Sequence, residues 1–471
     1  MRVIPRVLAA LFMVAPASAQ TTDDPFPEPI PPAEGAIQVD YTEFAVLPDL
    51  MGVAARMMLI VDEPETDRLF VNDMRGPLYS VSYNGLSVLR YLDINAAAWG
   101  VRVQSSGRER GFHSFAFHPQ FAQSNTPGYG KFYTWVDTEN TQPTPHFRPG
   151  AGTRTHDTVL LEWTARTPAA ATYDGGPPRE LIRVEQPFAS HNGGGMAFNP
   201  VAAPGDADFG MLYVGLADGG SRGDPSNNAQ NLGSVFGKIL RIDPLGSSPA
   251  NSRYGIPVTN PFAADQDTLS LGEIFAYGLR NPQHFAWDPA TGRMYVTDIG
   301  QSTVEELNVV TAGANLGWNR WEGSFPYADR SGVSTENQRG DPTVTYPVIE
   351  YAHPDSLFTS RAAVTGLVVY RSADIPELTN LVLFGDLPSG EIFYLPADDL
   401  PNGGQDPIRR ILLTDAEQPQ TLLHVIQTKQ AAQGKTPATR VDLRMYPGPQ
   451  GQVFLLNKRD GLIRVMVPGA S

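Results

Sequence analysis

One short phrase recurs along this 471-residue chain and limits what it can become: a turn built on Gly or Asp, then a run in which aliphatic and aromatic residues alternate. It stands at 67–73, 130–135, 210–215, 292–298, 380–386 and 451–456. Several copies are followed by a second such run, as at 76–81, 238–242, 390–395 and 461–465. Period-two alternation bounded by turn residues marks strands, and helical periodicity is scarce. Strand-turn-strand units that recur about every 70 residues, and cannot bury both faces alone, predict blades set around an axis. The expected fold is all-β, a six-bladed β-propeller over residues 39–469. An array of β-sandwiches would explain the strands but not the recurring Tyr/Phe-Val-x-Asp signature.

The N-terminus reads differently. Arg2 and Arg6 precede an apolar run, and Ala17-Ser18-Ala19 is an A-x-A cleavage pattern. Residues 1–19 are therefore expected to be a secretory signal, which implies a periplasmic or secreted protein. Residues 20–38, rich in Pro and acids, are expected to be a disordered leader. No later stretch reaches the roughly 18 consecutive apolar residues of a membrane span. The chain has no cysteine, so stability must come from its core and from bound ions. Loss of Arg2 and Arg6 with the signal turns 35 basic against 50 acidic residues into 33 against 50. Such a surface repels nucleic acid and anionic lipid and suits small neutral substrates or divalent cations. Gly-, Pro-, Asn- and Asp-rich insertions at 138–155, 224–233, 246–269 and 318–344 are expected to form the entrance to an axial site.

Three stretches carry the chemistry. His191 opens His-Asn-Gly-Gly-Gly just before a strand-like segment, and glycines let a backbone approach a ligand closely. A neutral imidazole there can accept the proton of an alcohol. Arg280 and Asn281 follow Tyr277-Gly278-Leu279, and a permanent guanidinium stabilises the negative charge that develops in hydride transfer. Gly300 and Gln301 follow Asp298 at a strand end, where backbone carbonyls are suitable hard ligands for calcium. His113 and His118, at odd spacing on a strand, point to opposite faces and do not share a metal; His113 is core or cavity, His118 a turn residue. His284 is a candidate for a place behind the site, whereas His146, His156, His353 and His424 stand in unremarkable contexts.

Other chemistries lack their context. Gly219-Gly220-Ser221-Arg222-Gly223 matches a serine-nucleophile elbow, but the loop-forming Asp224-Pro225-Ser226-Asn227-Asn228 follows where a helix is required. There is no phosphate loop of Walker type and no strand–G-x-G-x-x-G–helix unit for a nicotinamide cofactor.

Two longer blocks complete the picture: 191–244, including Ala217-Asp218-Gly219-Gly220 and Gly237-Lys238-Ile239-Leu240-Arg241-Ile242-Asp243-Pro244, and 277–318, ending in Gly313-Ala314-Asn315-Leu316-Gly317-Trp318. On these blocks, in this order, the chain resembles the glucose/sorbosone dehydrogenase family. The resemblance implies a propeller that binds pyrroloquinoline quinone (PQQ) and calcium, oxidises an aldose or related polyol, and passes electrons to an external acceptor. It makes His191 the general base and Arg280 a residue of the reacting centre. It puts Arg280, Asn281, Arg440 and Arg444 on PQQ, Asp218 near the substrate, and the carbonyls of Gly300 and Gln301 on calcium.

The chain departs from the glucose dehydrogenase pattern in several places. Ser190 replaces an acid before the base, and 386–390 lacks a fifth-blade lysine. Gly111-Phe112-His113-Ser114 replaces the commoner Gly-Leu-Leu-Gly. Two alternatives remain open from sequence: a binding propeller resembling the Hedgehog-interacting proteins, and a calcium-dependent lactonase with acids and asparagines around the axis. The loop 224–231 offers enough oxygens for a second calcium.

Overall fold

The computed structural model describes residues 21–468 except 151, 249–250, 265–266, 268, 359 and 416–417. The expected secretory signal lies outside the described residues. Four antiparallel four-stranded sheets follow one another in the chain. The first holds Met57–Glu63, Arg68–Asp73, Pro77–Ser82 and Val88–Asp93; the second Phe112–Phe117, Lys131–Thr138, His156–Thr164 and Arg179–Gln186. The third holds Met196–Phe198, Leu212–Leu216, Lys238–Ile242 and Ile274–Tyr277; the fourth Pro282–Trp287, Met294–Asp298, Val304–Val310 and Ile349–Ala352.

A larger sheet contains two more runs of the same kind. One is Val364–Tyr370, Leu381–Asp386, Ile392–Pro396 and Arg409–Asp415; the other is Arg444–Pro447, Val453–Leu456 and Leu462–Val467. The N-terminal Ile37–Val46 adds to Leu462–Val467 as a fourth strand, and lies parallel to Arg409–Asp415 along its other edge. The first strand of each run touches the first strand of the next, from Met57–Glu63 round to Arg444–Pro447 and back to Met57–Glu63. The result is an all-β propeller whose start and end are hydrogen-bonded together. A helix, Leu422–Ala432, interrupts the pattern, capped by Thr421, whose hydroxyl accepts the His424 N–H.

Neighbouring sheets cover each other's faces, which explains why several strands are buried throughout rather than on one face only. Phe112–Phe117 and Val364–Tyr370 are buried at every position. Between the first two sheets Phe70, Tyr91, Phe117, Phe132 and Trp163 form one aromatic cluster; Phe132 and Trp163 stack at 6.0 Å. The leader departs from expectation. Thr21–Thr22 pairs with Val333–Ser334, and Phe26 lies edge-on to Phe325. Ile30 is fully buried, with its N–H donating to Asp355 Oδ2 at 2.8 Å. Its composition is polar, yet a single aliphatic anchor and backbone pairing suffice to lay it along the propeller.

A cation-lined axial cavity as the candidate active site

Topology gathers the site before any side chain is considered. In an antiparallel four-stranded unit, the link from second to third strand and the link to the next unit emerge at the same end. His191, Arg280, Arg361 and Arg440 lie on links between units, and Asp218, Gly300, Gln301 and Lys458 on second-to-third links. Residues scattered from position 191 to 458 therefore meet at one end of the axis. There they surround a cavity of about 290 Å³ lined by His191, Arg280, Asn281, Gly300, Gln301, Arg440 and Arg444, among others. A smaller space of about 20 Å³ lies against it, beside His113, Ser114, Gln283 and Arg444, with room for a single water.

The glycine run after His191 is a packing requirement. A Cβ on Gly194 would lie 1.6 Å from the Pro282 carbonyl oxygen, and one on Gly193 would lie 2.5 Å from Trp135 Nε1. The loop is thus pressed onto its neighbours, and His191 takes a left-handed backbone (φ 55°), a conformation that costs a non-glycine residue energy. Glu109 Oε2 accepts the His191 N–H at 2.8 Å and fixes that turn.

The imidazole is held from both sides. Its Nδ1–H donates to Asp218 Oδ1 at 2.8 Å, and Arg280 Nη2 stands 3.1 Å from its Nε2. Guanidinium only donates, so Nε2 must present its lone pair. The arrangement therefore fixes one tautomer, with the Nε2 lone pair met by Arg280 at the cavity wall. Asp218 is wholly buried and also accepts the Gly220 N–H and the Trp318 indole N–H, both at 2.9 Å. Burial pushes its carboxyl up, but His191, Arg280 and the Gly220 N–H together hold it below the usual carboxylate value. Asp218 was expected near the substrate; instead it does not line the cavity and acts on His191 from behind.

Arg280 is anchored through its backbone. Asp298 accepts the Arg280 N–H at 2.8 Å on one oxygen and the Asn281 N–H at 2.6 Å on the other. The guanidinium donates to the Ile299 carbonyl at 2.8 Å and lies 5.7 Å from the Trp318 ring centre. Among the described residues it meets no carboxylate at ion-pair distance, contrary to the usual fate of a lone arginine. Burial raises the Asp298 carboxyl to about 7 despite those two donors, and burial with the Asp298 charge raises Glu306, its cross-strand partner, well above its ordinary value.

The opposite wall is also basic. Arg444 is buried and donates to the Thr365 hydroxyl at 2.9 Å and to Gln283 Oε1 at 3.1 Å; Gln283 in turn donates to Asn281 Oδ1 at 2.9 Å. Arg440 pairs with Asp442 at 2.5 Å. Lys458, Arg108 and Arg361, which sequence reasoning missed, line the same cavity. Burial and the nearby Arg444 guanidinium push the Lys458 ammonium well below its ordinary value. Lys458 lies on the link between the last two strands, Val453–Leu456 and Leu462–Val467. An Asn-Lys-Arg-Asp turn between two strands was its only signal in sequence.

Among the described residues no hydrogen-bond donor reaches the carbonyls of Gly300 or Gln301, so both stay available to a hard cation. No group of three or more His, Asp or Glu side chains among the described residues is placed to hold a metal. At 224–231 the oxygens are already engaged. Asp224 accepts the N–H groups of Asn228 and Ala229, and the Lys238 ammonium donates to the carbonyls of Asn228, Ala229 and Phe236 at 2.7–2.9 Å.

His113 faces the cavity, with Nε2 2.7 Å from Asp137, and His353 lines it with Nε2 2.5 Å from Glu305. His284 is buried against Tyr446 and lies outside the lining. None of the four insertions expected at the entrance contributes a lining residue. The insertion 318–344 instead backs the site, with Trp318 on Asp218 and Asn319 on the carbonyls of Gly223 and Asp224.

The HIPL1 protein of Arabidopsis thaliana is 30% identical over 309 residues, 59% of this chain and 43% of its own length. Aldose sugar dehydrogenase YliI of Escherichia coli is 25% identical over 186 residues, 40% of this chain and 44% of that protein. This chain thus spans less than half the length of either relative. The PQQ-bound form of aldose sugar dehydrogenase from Streptomyces coelicolor superposes with a TM-score of 0.56 at 20% identity, covering 90% of this chain and 96% of that one, a likeness of fold. The family model of glucose/sorbosone dehydrogenases matches residues 64–408. With nearly three quarters of its length inside that match, the chain belongs to the glucose/sorbosone dehydrogenase family.

Proposed function

We propose that this protein is a PQQ-dependent sugar dehydrogenase that oxidises an aldose or related polyol and passes the electrons to an external acceptor. The observation that carries this reading is the fixed tautomer of His191. Asp218 holds the Nδ1–H from behind, and the Nε2 lone pair meets the Arg280 guanidinium at the cavity wall. An alcohol that displaces that guanidinium from Nε2 and points its proton at the nitrogen keeps its oxygen within reach of Arg280. His191 then takes the proton, Asp218 stabilises the resulting imidazolium, and Arg280 stabilises negative charge on the oxygen.

The wall suits the cofactor. PQQ carries three carboxylates, and Arg444, Lys458 and Arg440 present cations from one side while Arg280 and Asn281 stand on another. Among the described residues Arg444 and Lys458 have no carboxylate partner at ion-pair distance, which is costly for buried cations unless a ligand supplies one. Calcium fits the carbonyls of Gly300 and Gln301. When bound, PQQ supplies a two-electron oxidant whose carbonyl calcium polarises. We read the closed ring of inner-strand contacts as six blades, the large sheet being two blades joined along their outer strands. Periplasmic or secreted location, from the N-terminal pattern, suits an enzyme that delivers electrons outside the cytoplasm.

The test is titration of mature protein with PQQ and calcium, followed by absorbance, then addition of sugars with a dye acceptor. Saturable binding and sugar-dependent bleaching are expected, with bleaching lost in His191→Ala. No binding at micromolar PQQ would refute the reading and leave a binding propeller of the same family.

A further inference from the structure

The cavity holds more positive charge than the cofactor needs. In a chain with 35 basic and 50 acidic residues, its lining has six cations, Arg108, Arg280, Arg361, Arg440, Arg444 and Lys458, against the two acids Glu109 and Asp442. Composition does not produce that inversion. Asp442 is taken by Arg440 and Arg459, and Glu109 accepts the His191 N–H. Arg444 donates to a hydroxyl, a carbonyl and an amide oxygen, and Lys458 to the Arg108 carbonyl at 3.4 Å. Arg361 has a single long contact, 3.4 Å to the Ser302 carbonyl, and among the described residues no acid pairs with it or with Arg108. With PQQ on Arg440, Arg444 and Lys458, the lining still has Arg108 and, at the Gly300–Gln301 loop, Arg361 without an acid among the described residues.

The placement of Arg361 is informative. Arg280 donates to the carbonyl of Ile299 and Arg361 to that of Ser302, so both guanidiniums flank the four-residue loop that carries Gly300 and Gln301. Arg280 also touches the His191 nitrogen that would take the proton. Arg361 is thus on the reacting side of the cavity, exposed at its mouth, and available to a substrate. A planar guanidinium fork is matched by a carboxylate, which it can grip through two N–H bonds.

Resting on the dehydrogenase reading, we infer that the sugar taken here carries a carboxylate: the substrate is a monoanionic sugar of the uronate class, gripped by Arg361 with Arg108 adding to the field. A neutral aldose leaves that charge unmet. Because both side chains reach solvent, the preference weakens as salt screens them.

The experiment compares methyl β-D-glucuronide with methyl β-D-glucoside, which differ in the carboxylate and are blocked at the anomeric carbon. Calorimetric titration into PQQ- and calcium-loaded protein at low salt should give at least tenfold tighter binding of the glucuronide. The gap should close in 0.5 M NaCl and in Arg361→Ala, and partly return in Arg361→Lys. With a dye acceptor, kcat/KM for glucuronate should exceed that for glucose by a similar factor. Equal binding of the two glycosides, a gap unchanged in Arg361→Ala, or a preference for glucose would overturn this inference alone. Failure of every sugar, acidic and neutral, to reduce the loaded protein would overturn the functional reading and this inference with it.

Discussion

Replacing Asp218 by Asn tests the heart of the proposed mechanism with almost no change of shape. The carboxylate accepts from the His191 Nδ1–H at 2.8 Å and the Gly220 N–H on one oxygen, and from the Trp318 indole on the other. Asn keeps one acceptor, so its NH2 must face one of these donors. Facing Trp318, it leaves a buried indole N–H unpaired, a loss of about 1–3 kcal/mol. Facing His191, it forces the proton to Nε2, where it meets the Arg280 N–H and the base is gone. In either orientation the bond from imidazolium to carboxylate, about 1.5–3 kcal/mol, disappears from the step in which His191 holds the substrate proton. At about 1.4 kcal/mol per factor of ten, kcat/KM should fall by roughly 10- to 150-fold. The fall should lie in kcat, with PQQ affinity unchanged, as read by dye reduction beside a cofactor titration. A folded Asp218→Asn variant within twofold of the parent in kcat would refute the assignment of His191 as a base oriented by Asp218.

Gly194→Ala should abolish soluble folded protein or cut its stability by about 3 kcal/mol or more, because the added methyl meets the Pro282 carbonyl at 1.6 Å; thermal melting checks this. Stability should also peak near pH 4–5. Asp298 and Asp386 are raised to about 7 by burial, so the folded state keeps protons that the unfolded chain releases near pH 4. The stability they contribute is full below that and lost as pH rises through 7. Asp288, held at about 2 against burial by Arg371 and Thr291, contributes in the opposite sense, its stability being lost as pH falls toward 2. Calorimetric melting from pH 3 to 9 should show the descending limb, flattened in Asp298→Asn; a melting temperature that climbs steadily to pH 9 would contradict the assignment. Lys458→Met should weaken PQQ binding at least tenfold while raising the melting temperature of cofactor-free protein, since it relieves a buried cation beside Arg444. Unchanged PQQ affinity would remove Lys458 from the cofactor wall.

Some of this protein is written locally. Strand alternation and turn residues define individual strands because each depends on neighbours two positions away, so the recurring phrases at 67–73 or 292–298 are readable alone. His191 is legible for the same reason: its glycine run is a local demand for close approach. Arg280 is local too, as a cation after a strand-like segment, whereas Arg444 rests on the family resemblance alone. The docking of the leader is not locally legible because its partners, among them Val333–Ser334, Phe325 and Asp355, lie far along the chain, Asp355 325 positions from Ile30.

What sequence alone determined was the propeller class of fold, and it named candidates for the reacting centre, since both rest on short-range pattern and chemical type. What the tertiary structure decided was which residues face the axis. Closing a ring of sheets brings every second-to-third link to one end, a consequence of chain direction that no single segment records. That closure put Asp218 behind His191 rather than before the substrate, brought in Lys458 and Arg361, and left the long insertions as supports. It also fixed the His191 tautomer, because Asp218 and Arg280 approach it from chain positions 27 and 89 residues away.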